Sequence, residues 1–359
     1  MSADTSATPT PTTGSTPSAA PAASAQHLSP RPSHRRNIAA VVLLVPVLAA
    51  LALWAFAWPA ARTAPHDLPL GVAGPATATT QVQKQLEAHE GAFEIHRYAD
   101  EAAAREAIED RTVYGAVLVT ERGPKLLTAS AASPLVAQTL QQAVARRADG
   151  AAMETVDVVP AAADDPRGSV LTSSVLPMTL AGIAAGAVVT LLGLRGWHAV
   201  AALVGAASVV GTVAALVAGS WLGALTGSWW PEAGALALST LAVGAAVAGL
   251  AALLGTPGIG LGAFVVMMLG NPFSGASSAP EMLPAPVGVI GQWLPPGAGA
   301  SLLRSVAFFD GAAASGAVLT LAWWVVVGVG AVVLGDALKR RGAAAGASGR
   351  GPAPASLGE

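Results

Sequence analysis

Few residues in this chain have the types and spacing that chemistry requires. No two of the six histidines lie at zinc-ligand spacing within an apolar segment, and the sequence has no cysteine. No H-E-x-x-H, G-x-S-x-G or Walker A motif occurs, so the residues predict no zinc hydrolase, no serine hydrolase and no ATP site. We predict that the chain is not an enzyme and needs no cofactor. We assign no catalytic, cofactor-binding or metal-binding residue, and the substrate-binding residues stay unknown.

Hydroxyl groups are the main polar side chains in the apolar half of the sequence. The conspicuous ones are Ser173, Ser174, Thr179, Thr190, Ser208, Thr212, Ser239, Thr240 and Thr320. In an apolar helix, such a hydroxyl more often bonds a carbonyl of its own helix than a ligand. We therefore expect these hydroxyls to be structural.

Charge is nearly absent from the second half of the chain. Between residues 170 and 335, the charged side chains are Arg195, Glu232, Glu281, Arg304 and Asp310. Soluble domains carry about a quarter charged residues, so this half cannot present a water-soluble surface. The sequence predicts an integral membrane protein whose main partner is the lipid bilayer.

The apolar segments of the chain must position these hydroxyl and charged side chains. A spanning helix needs about 20 apolar residues. This criterion predicts six spans, at residues 38–58, 170–194, 200–222, 233–254, 259–269 and 312–335, and the fifth reaches full length only by running from 255 to 271. Basic clusters at 31–36 and 339–341 predict that both termini lie in the cytoplasm. A cleaved signal peptide is the alternative for the first span, because residues 55–57 read Ala-Phe-Ala, but a length of roughly 21 residues favours an anchor.

Glycine and tryptophan indicate how the spans pack. Two G-x-x-x-G patterns, at 182–186 and 258–262, allow helices to approach closely in lipid. Because the chain has 40 glycines, we interpret these patterns as packing inside the bundle. Trp323 and Trp324 lie in the middle of the last predicted span, and we expect them to pack against neighbouring helices. A shifted span boundary is the alternative.

The polar segments form two tails and one insert. Residues 1–37, rich in Pro, Ser, Thr and Ala, are predicted to be a disordered cytoplasmic tail, and residues 339–359 a second cytoplasmic tail. Residues 59–169 separate the first span from a five-helix bundle at 170–338. This insert has fifteen acidic and ten basic residues, a balance that suits an outer face and argues against nucleic-acid binding.

Strand-type and helix-type patterns alternate within the insert in the order βαβαββαβ. Strands are predicted at 68–73, 93–98, 114–120, 124–129 and 154–159, and helices at 81–89, 100–111 and 133–148. Asp100 and Ser133 begin two of these helices and are predicted to cap them. The insert is therefore predicted to be an extracytoplasmic α/β domain between the first and second spans of a polytopic α-helical membrane protein.

This arrangement resembles the permease subunits of type-2 ABC exporters, and within that superfamily the phage-infection-protein-like (Pip-like) bacterial membrane proteins. The resemblance covers about residues 38–341. It is carried by Asp-Asp-Pro-Arg-Gly at 164–168, Asn-Pro-Phe-Ser-Gly at 271–275, Leu-Pro-Pro at 294–296 and Ser-Leu-Leu-Arg at 301–304. It implies a multi-pass protein of the bacterial cytoplasmic membrane, a separate ATP-binding subunit as partner, and a homodimer.

The segment 271–311 is rich in Pro and Gly, moderately apolar and carries three charges. Backbone near lipid must be satisfied by protein or water, so we expect a re-entrant or interfacial element with Arg304 and Asp310 in polar surroundings. In related exporters such elements cap the outer end of the substrate path, as the resemblance implies. An apolar loop packed on the bundle is the alternative.

Two functions follow from these observations. The first is a permease-like subunit of an ABC-type exporter that moves an amphipathic or envelope-associated substrate, with ATP hydrolysed by a separate subunit. The second is a non-transporting envelope protein whose external domain binds a partner, as a receptor or assembly scaffold. The scarcity of polar side chains within the spans slightly favours the second, although exporters of apolar substrates need few charges.

Overall fold

The computed structural model describes residues 34–88, 90–121, 123–147 and 153–348. Most of the tail predicted to be disordered, residues 1–33, and the end of the second tail, residues 349–359, lie outside the described residues.

The first helix, α1 (His34–Ala61), begins before the predicted span 38–58 and ends after it. Near its end, the rings of Trp54 and Trp58 stack with their centroids 5.6 Å apart. The guanidinium of Arg62 lies 5.9 Å from the centre of the Trp58 ring. Tryptophan and arginine side chains favour the boundary between lipid and water, and their grouping agrees with a span that ends here.

An α/β unit follows α1, and its elements have the order predicted from the sequence. They are β1 (Leu68–Ala73), α2 (Ala76–Glu87), β2 (Phe93–Tyr98), α3 (Glu101–Glu109), β3 (Gly115–Thr120), β4 (Gly123–Thr128), α4 (Pro134–Arg147) and β5 (Glu154–Asp157). Both predicted caps are confirmed. The Asp100 carboxylate accepts a hydrogen bond from the Ala103 amide at 2.9 Å, and Ser133 Oγ accepts one from the Val136 amide at 3.2 Å.

The five strands form one sheet in the order β2-β1-β3-β4-β5. β1 is parallel to β2 and β3, β3 and β4 form an antiparallel hairpin, and β4 is parallel to β5. Side chains alternate between the faces of a sheet, so Leu126 and Leu127 belong to different cores. α3 covers one core and α4 the other.

Residues far along the chain complete both cores of the α/β unit. Phe309 packs into the core that α3 covers. Ala279 and Met282 pack into the core that α4 covers. All three side chains are buried, so the α/β unit depends on the later segment for a closed apolar interior.

In the described residues that follow the α/β unit there are seven α-helices. They are α5 (Ser169–Leu191), α6 (Gly196–Ala215), α7 (Trp229–Leu254), α8 (Thr256–Val265), α9 (Val287–Gln292), α10 (Pro295–Phe308) and α11 (Ala314–Ser348). π-helical turns extend α6 over Leu216–Trp221 and α8 over Val266–Gly270. α7 lies at the centre of this bundle and packs against α5, α6, α8, α10 and α11.

Five described helices are long and apolar enough to cross a membrane: Arg36–Ala61, Ser169–Leu191, Gly196–Trp221, Trp229–Leu254 and Ala314–Gly342. The chain is a multi-pass membrane protein. The predicted span 255–271 forms the shorter apolar helix Thr256–Gly270. At about 1.5 Å per residue this helix is about 22 Å long, less than the roughly 30 Å of a hydrocarbon core. A count of six spans therefore stays a prediction. α11 continues into the predicted C-terminal tail as far as Ser348.

The predicted packing of the glycine patterns is confirmed. A Cβ atom on Gly182 would lie 2.6 Å from the Cβ of Val243 in α7. One on Gly258 would lie 2.3 Å from the carbonyl oxygen of Leu250. Atoms cannot approach so closely, so both glycines are required for helix contacts inside the bundle.

The segment 271–311 is mostly helical. A 3-10 turn at Pro280–Met282 precedes α9, and α10 packs against α5, α7 and α11. Most of α10 is buried. Its first turn contains Pro295 and Pro296. Proline has no amide hydrogen, and this costs nothing at the start of a helix, where the amides have no partner within the helix. The structure thus gives this segment a fixed place against the bundle, and its depth in a membrane stays a prediction.

The two central tryptophans of α11 differ in their surroundings. Trp324 Nε1 donates a hydrogen bond to the carbonyl oxygen of Trp293 at 2.8 Å, which confirms the expected packing for this residue. Trp323 is 65% exposed on the helix surface.

Candidate functional site

Polar residues from distant parts of the chain meet where the α/β unit contacts the segment 271–311. We call this group, Arg111, Tyr114, Glu281 and Arg304, the polar junction. Arg111 and Tyr114 lie between α3 and β3, Glu281 lies in the 3-10 turn, and Arg304 lies in α10. Each of them is at least partly shielded from solvent.

Arg111 links the α/β unit to α10. Its Nη1 donates hydrogen bonds to the Ser301 carbonyl oxygen at 3.1 Å and to Ser305 Oγ. Its guanidinium carbon lies 5.3 Å from the centre of the Phe309 ring. Burial lowers the pKa of Arg111, but a guanidinium starts so high that it stays charged.

Tyr114 and Glu281 form a second link. Tyr114 OH donates to Glu281 Oε2 at 2.7 Å. Burial and the charge of Glu281 raise the pKa of Tyr114 above its ordinary value, so the phenol remains a donor. The backbone is held as well, because the Glu281 carbonyl oxygen accepts from the His66 amide at 2.8 Å and the Met282 carbonyl oxygen accepts from the Ala64 amide at 3.0 Å.

Arg304 has the polar surroundings that the sequence predicts, although it is only 4% exposed. Its Nη2 donates to the Ala276 carbonyl oxygen at 2.9 Å. Burial and the nearby charge of Arg111 lower the pKa of Arg304. Within the described ranges, no carboxylate lies within 4.0 Å of either guanidinium, so carbonyl and hydroxyl oxygens solvate these charges. Asp310 is exposed.

A hydrogen-bonded chain extends from the polar junction into α9. Ser301 Oγ donates to Gln292 Oε1 at 2.7 Å. Gln292 Nε2 donates in turn to the Ser274 carbonyl oxygen at 2.9 Å. Because Arg111 bonds the backbone of Ser301, α9, α10 and the α/β unit are joined through one continuous polar network.

A cavity of about 610 Å³ lies beside the polar junction. The α/β unit contributes polar lining residues, including His66, Asp67, Arg111, Thr112 and Tyr114. The turns around α9 and the start of α11 contribute apolar ones, including Leu283, Val289, Trp293, Ala313 and Ala317. Small-molecule sites usually have volumes of about 300–1,000 Å³, so this cavity has a size suited to ligand binding.

Asp165 fixes the start of α5. Its carboxylate accepts hydrogen bonds from the Ser169 amide at 2.8 Å, from Ser169 Oγ at 2.7 Å and from the Val170 amide at 2.7 Å. Burial opposes ionisation of Asp165, but these hydrogen bonds outweigh it and lower the pKa of the carboxyl group. A charged cap thus lies where the α/β unit leads into the bundle.

Most of the hydroxyl groups singled out in the sequence are structural, as predicted. Each of the following donates to a carbonyl oxygen four residues earlier in its own helix: Ser174, Thr179, Thr190, Ser208, Ser239 and Thr240. Thr320 lines the cavity.

Sequence reasoning identified Arg304 as a residue of interest but assigned no role to Arg111, Tyr114 or Glu281. Glu281 has a signal in the sequence, because it is one of five charges between residues 170 and 335. Arg111 and Tyr114 have none, since the insert contains many charged residues. Among the described residues, no group of three or more His, Asp or Glu side chains could hold a metal ion.

Residues 38–164 match the family described as ABC-2 family transporter protein. The match includes most of α1 and the α/β unit, and ends just before Asp165. This match supports the resemblance of the chain to the ABC-2 permease superfamily. Together with the five apolar helices, it supports a transport role for this multi-pass membrane protein. A transporter membrane component is generally not an enzyme. No curated protein and no solved structure matches the chain significantly.

Proposed function

We propose that the chain is the membrane subunit of an ABC-type exporter, of the Pip-like kind, and moves an amphipathic or envelope-associated substrate. A separate subunit hydrolyses ATP. The observation that carries this proposal is the family match over residues 38–164, which falls on a span and on the α/β unit rather than on an isolated helix. The cavity beside the polar junction supports it, because it offers both polar and apolar lining.

The proposed topology is that of the sequence prediction. Six spans cross the bacterial cytoplasmic membrane, both termini are cytoplasmic, and the α/β unit is outside as an inserted domain. The segment 271–311 then lies at the outer ends of the spans as a re-entrant or interfacial element. Two copies form a homodimer.

A non-transporting envelope protein is the second candidate, and the short connections on the proposed cytoplasmic side favour it. Only residues 192–195 connect α5 to α6, and only Gly255 connects α7 to α8. Such connections offer little surface for an ATPase. In this case the α/β unit would bind a partner outside, and the bundle would serve as anchor or scaffold.

Affinity purification of the tagged full-length chain from native membranes in mild detergent tests the first proposal. We expect a nucleotide-binding ATPase in near-equal amount. Charge reversal on the proposed cytoplasmic side, Arg341→Glu, should reduce its recovery. The matched reversal Arg97→Glu, on β2 of the α/β unit, should leave recovery unchanged. Absence of any ATPase after cross-linking would favour the envelope-protein alternative.

A further inference from the structure

The polar lining of the cavity carries charges of both signs. Asp67 and Glu281 contribute carboxylates, and Arg111 contributes a guanidinium. Asp67 is exposed, and within the described part of the chain its carboxylate has no hydrogen bond or ion pair. Glu281 uses Oε2 for Tyr114, and Arg111 uses one of its nitrogen atoms for Ser301 and Ser305. Acceptors and donors therefore remain for a ligand.

The apolar lining lies beside a spanning helix. Val289 and Trp293, in and just after α9, are 66% and 71% exposed. Ala317 and Thr320 also line the cavity and lie in the first two turns of α11, which belongs to a candidate span. A ligand that fills the cavity thus contacts apolar residues next to the proposed membrane boundary.

Each simple head group meets a like charge in the lining of the cavity. An anion alone would lie near the carboxylates of Asp67 and Glu281, and a cation alone would lie near Arg111. Like charges held close together repel each other, so the lining discriminates against both.

We propose that this cavity binds a zwitterionic amphiphile, a molecule with a cationic nitrogen, an anionic phosphate or carboxylate, and an apolar chain. Arg111 binds the anionic group, Asp67 and Glu281 bind the nitrogen, and the chain lies along α9 and the start of α11. Such a ligand is either a phospholipid of the surrounding membrane or an exported compound with the same chemistry. The binding itself requires no ATPase.

Calorimetric titration of the full-length chain in maltoside micelles tests the assignment. The probes share one acyl or alkyl chain length: lysophosphatidylethanolamine as the zwitterion, lysophosphatidic acid as the anion, and an alkyltrimethylammonium as the cation. We expect the zwitterion to bind at least about tenfold more tightly than either of the other two probes. A factor of about ten in affinity is the contribution of one charge-assisted hydrogen bond. Equal affinities, or tightest binding of the anionic or the cationic probe, would overturn the proposal.

Asp67→Asn is the informative variant. Asp67 has a positive φ of 48°, and asparagine tolerates that backbone conformation, so the fold should persist. We expect about a tenfold loss of affinity for the zwitterion and no loss for the anion. Glu94→Gln, which removes an exposed carboxylate on β2 outside the cavity, is the control. Equal effects of the two variants would contradict the assignment.

Native mass spectrometry of the chain purified from its own membranes distinguishes the two sources. A bound mass equal to a membrane phospholipid identifies a resident lipid, and another zwitterionic mass identifies a cargo. Either result supports the assignment if Asp67→Asn reduces the adduct, and an adduct that this variant leaves unchanged would contradict it. Adducts of anionic lipids only would overturn it. If the titration shows no preference for the zwitterion, the proposed ligand is rejected. The proposed transport function is tested separately, by the affinity purification.

Discussion

At the polar junction, one guanidinium makes contacts that no other side chain could replace. Arg111 combines a carbonyl bond, a hydroxyl bond and a ring contact within one planar group. Lysine carries the same charge but has neither the fork of donors nor the flat face. The contact between the α/β unit and α10 should therefore depend on the shape of this residue as well as on its charge.

Arg111→Lys tests this dependence. We expect the free energy of unfolding to fall by about 1.5–3 kcal/mol, the size of a hydrogen bond to a charged group. Arg105→Lys is the control, since Arg105 pairs with Glu101 in a surface ion pair, which contributes about 0–1 kcal/mol. Denaturant titration of the purified protein in mixed micelles measures both. Equal effects would show that the geometry of Arg111 is unimportant.

Asp165 gives a prediction with a defined pH dependence. Its pKa in the folded protein lies below its ordinary value of about 3.9, so its charge stabilises the fold above that value. This contribution is lost as the pH falls through the folded-state pKa. We expect Asp165→Asn to destabilise the protein by about 1–2 kcal/mol at neutral pH, and the difference to shrink in acid.

Unfolding measurements at neutral pH and near pH 3 check this expectation. Asp164→Asn is the matched control, because Asp164 is exposed and, among the described residues, its carboxylate has no hydrogen bond or ion pair. A difference between wild type and Asp165→Asn that does not change with pH would rule out the charged cap.

Among the elements, α7 organises the bundle through close contacts with its neighbours. Gly249 of α7 faces Gly328 of α11, and a Cβ on Gly249 would lie 2.7 Å from the Gly328 carbonyl oxygen. Lipid is as apolar as the helix surfaces, so helix association depends on such fitted contacts. The small residues of α11 are therefore not interchangeable.

Two glycines of α11 provide a matched pair. A Cβ on Gly328 would lie 2.4 Å from the backbone of Ala245, whereas one on Gly330 would meet no atom within 4 Å. We expect Gly328→Ala to destabilise the bundle by roughly 1–3 kcal/mol, as overpacking does, and Gly330→Ala to be neutral or stabilising. Thermal unfolding in detergent compares them. Equal midpoints would contradict the packing of α11 on α7.

At the scale of the whole molecule, the proposed orientation in the membrane leads to a labelling prediction. The sequence has no cysteine, so single cysteines can be introduced without background labelling. Asp110→Cys places an exposed thiol on the α/β unit, and Arg341→Cys places one near the end of α11. We expect a membrane-impermeant maleimide to label the first in intact cells, and the second only after permeabilisation. The reverse pattern would invert the topology.

The sequence by itself determined the features that local patterns encode. Scarcity of charge predicted the membrane bundle, alternating patterns predicted the order of strands and helices, and Asp100 and Ser133 predicted two helix starts. These inferences succeed because hydrophobic periodicity and capping act over a few neighbouring residues. The glycine patterns likewise indicated close packing, although they did not name the partner helix.

Only the tertiary structure decided which distant residues meet. Arg111 contacts Ser301, and Phe309 closes a core of the α/β unit, although both pairings join segments far apart in the chain. Such contacts depend on how whole helices and strands pack together, and no periodic pattern in the sequence predicts them. The cavity arises in the same way, because its lining residues come from the α/β unit, the segment 271–311 and α11, which become neighbours only in the folded protein.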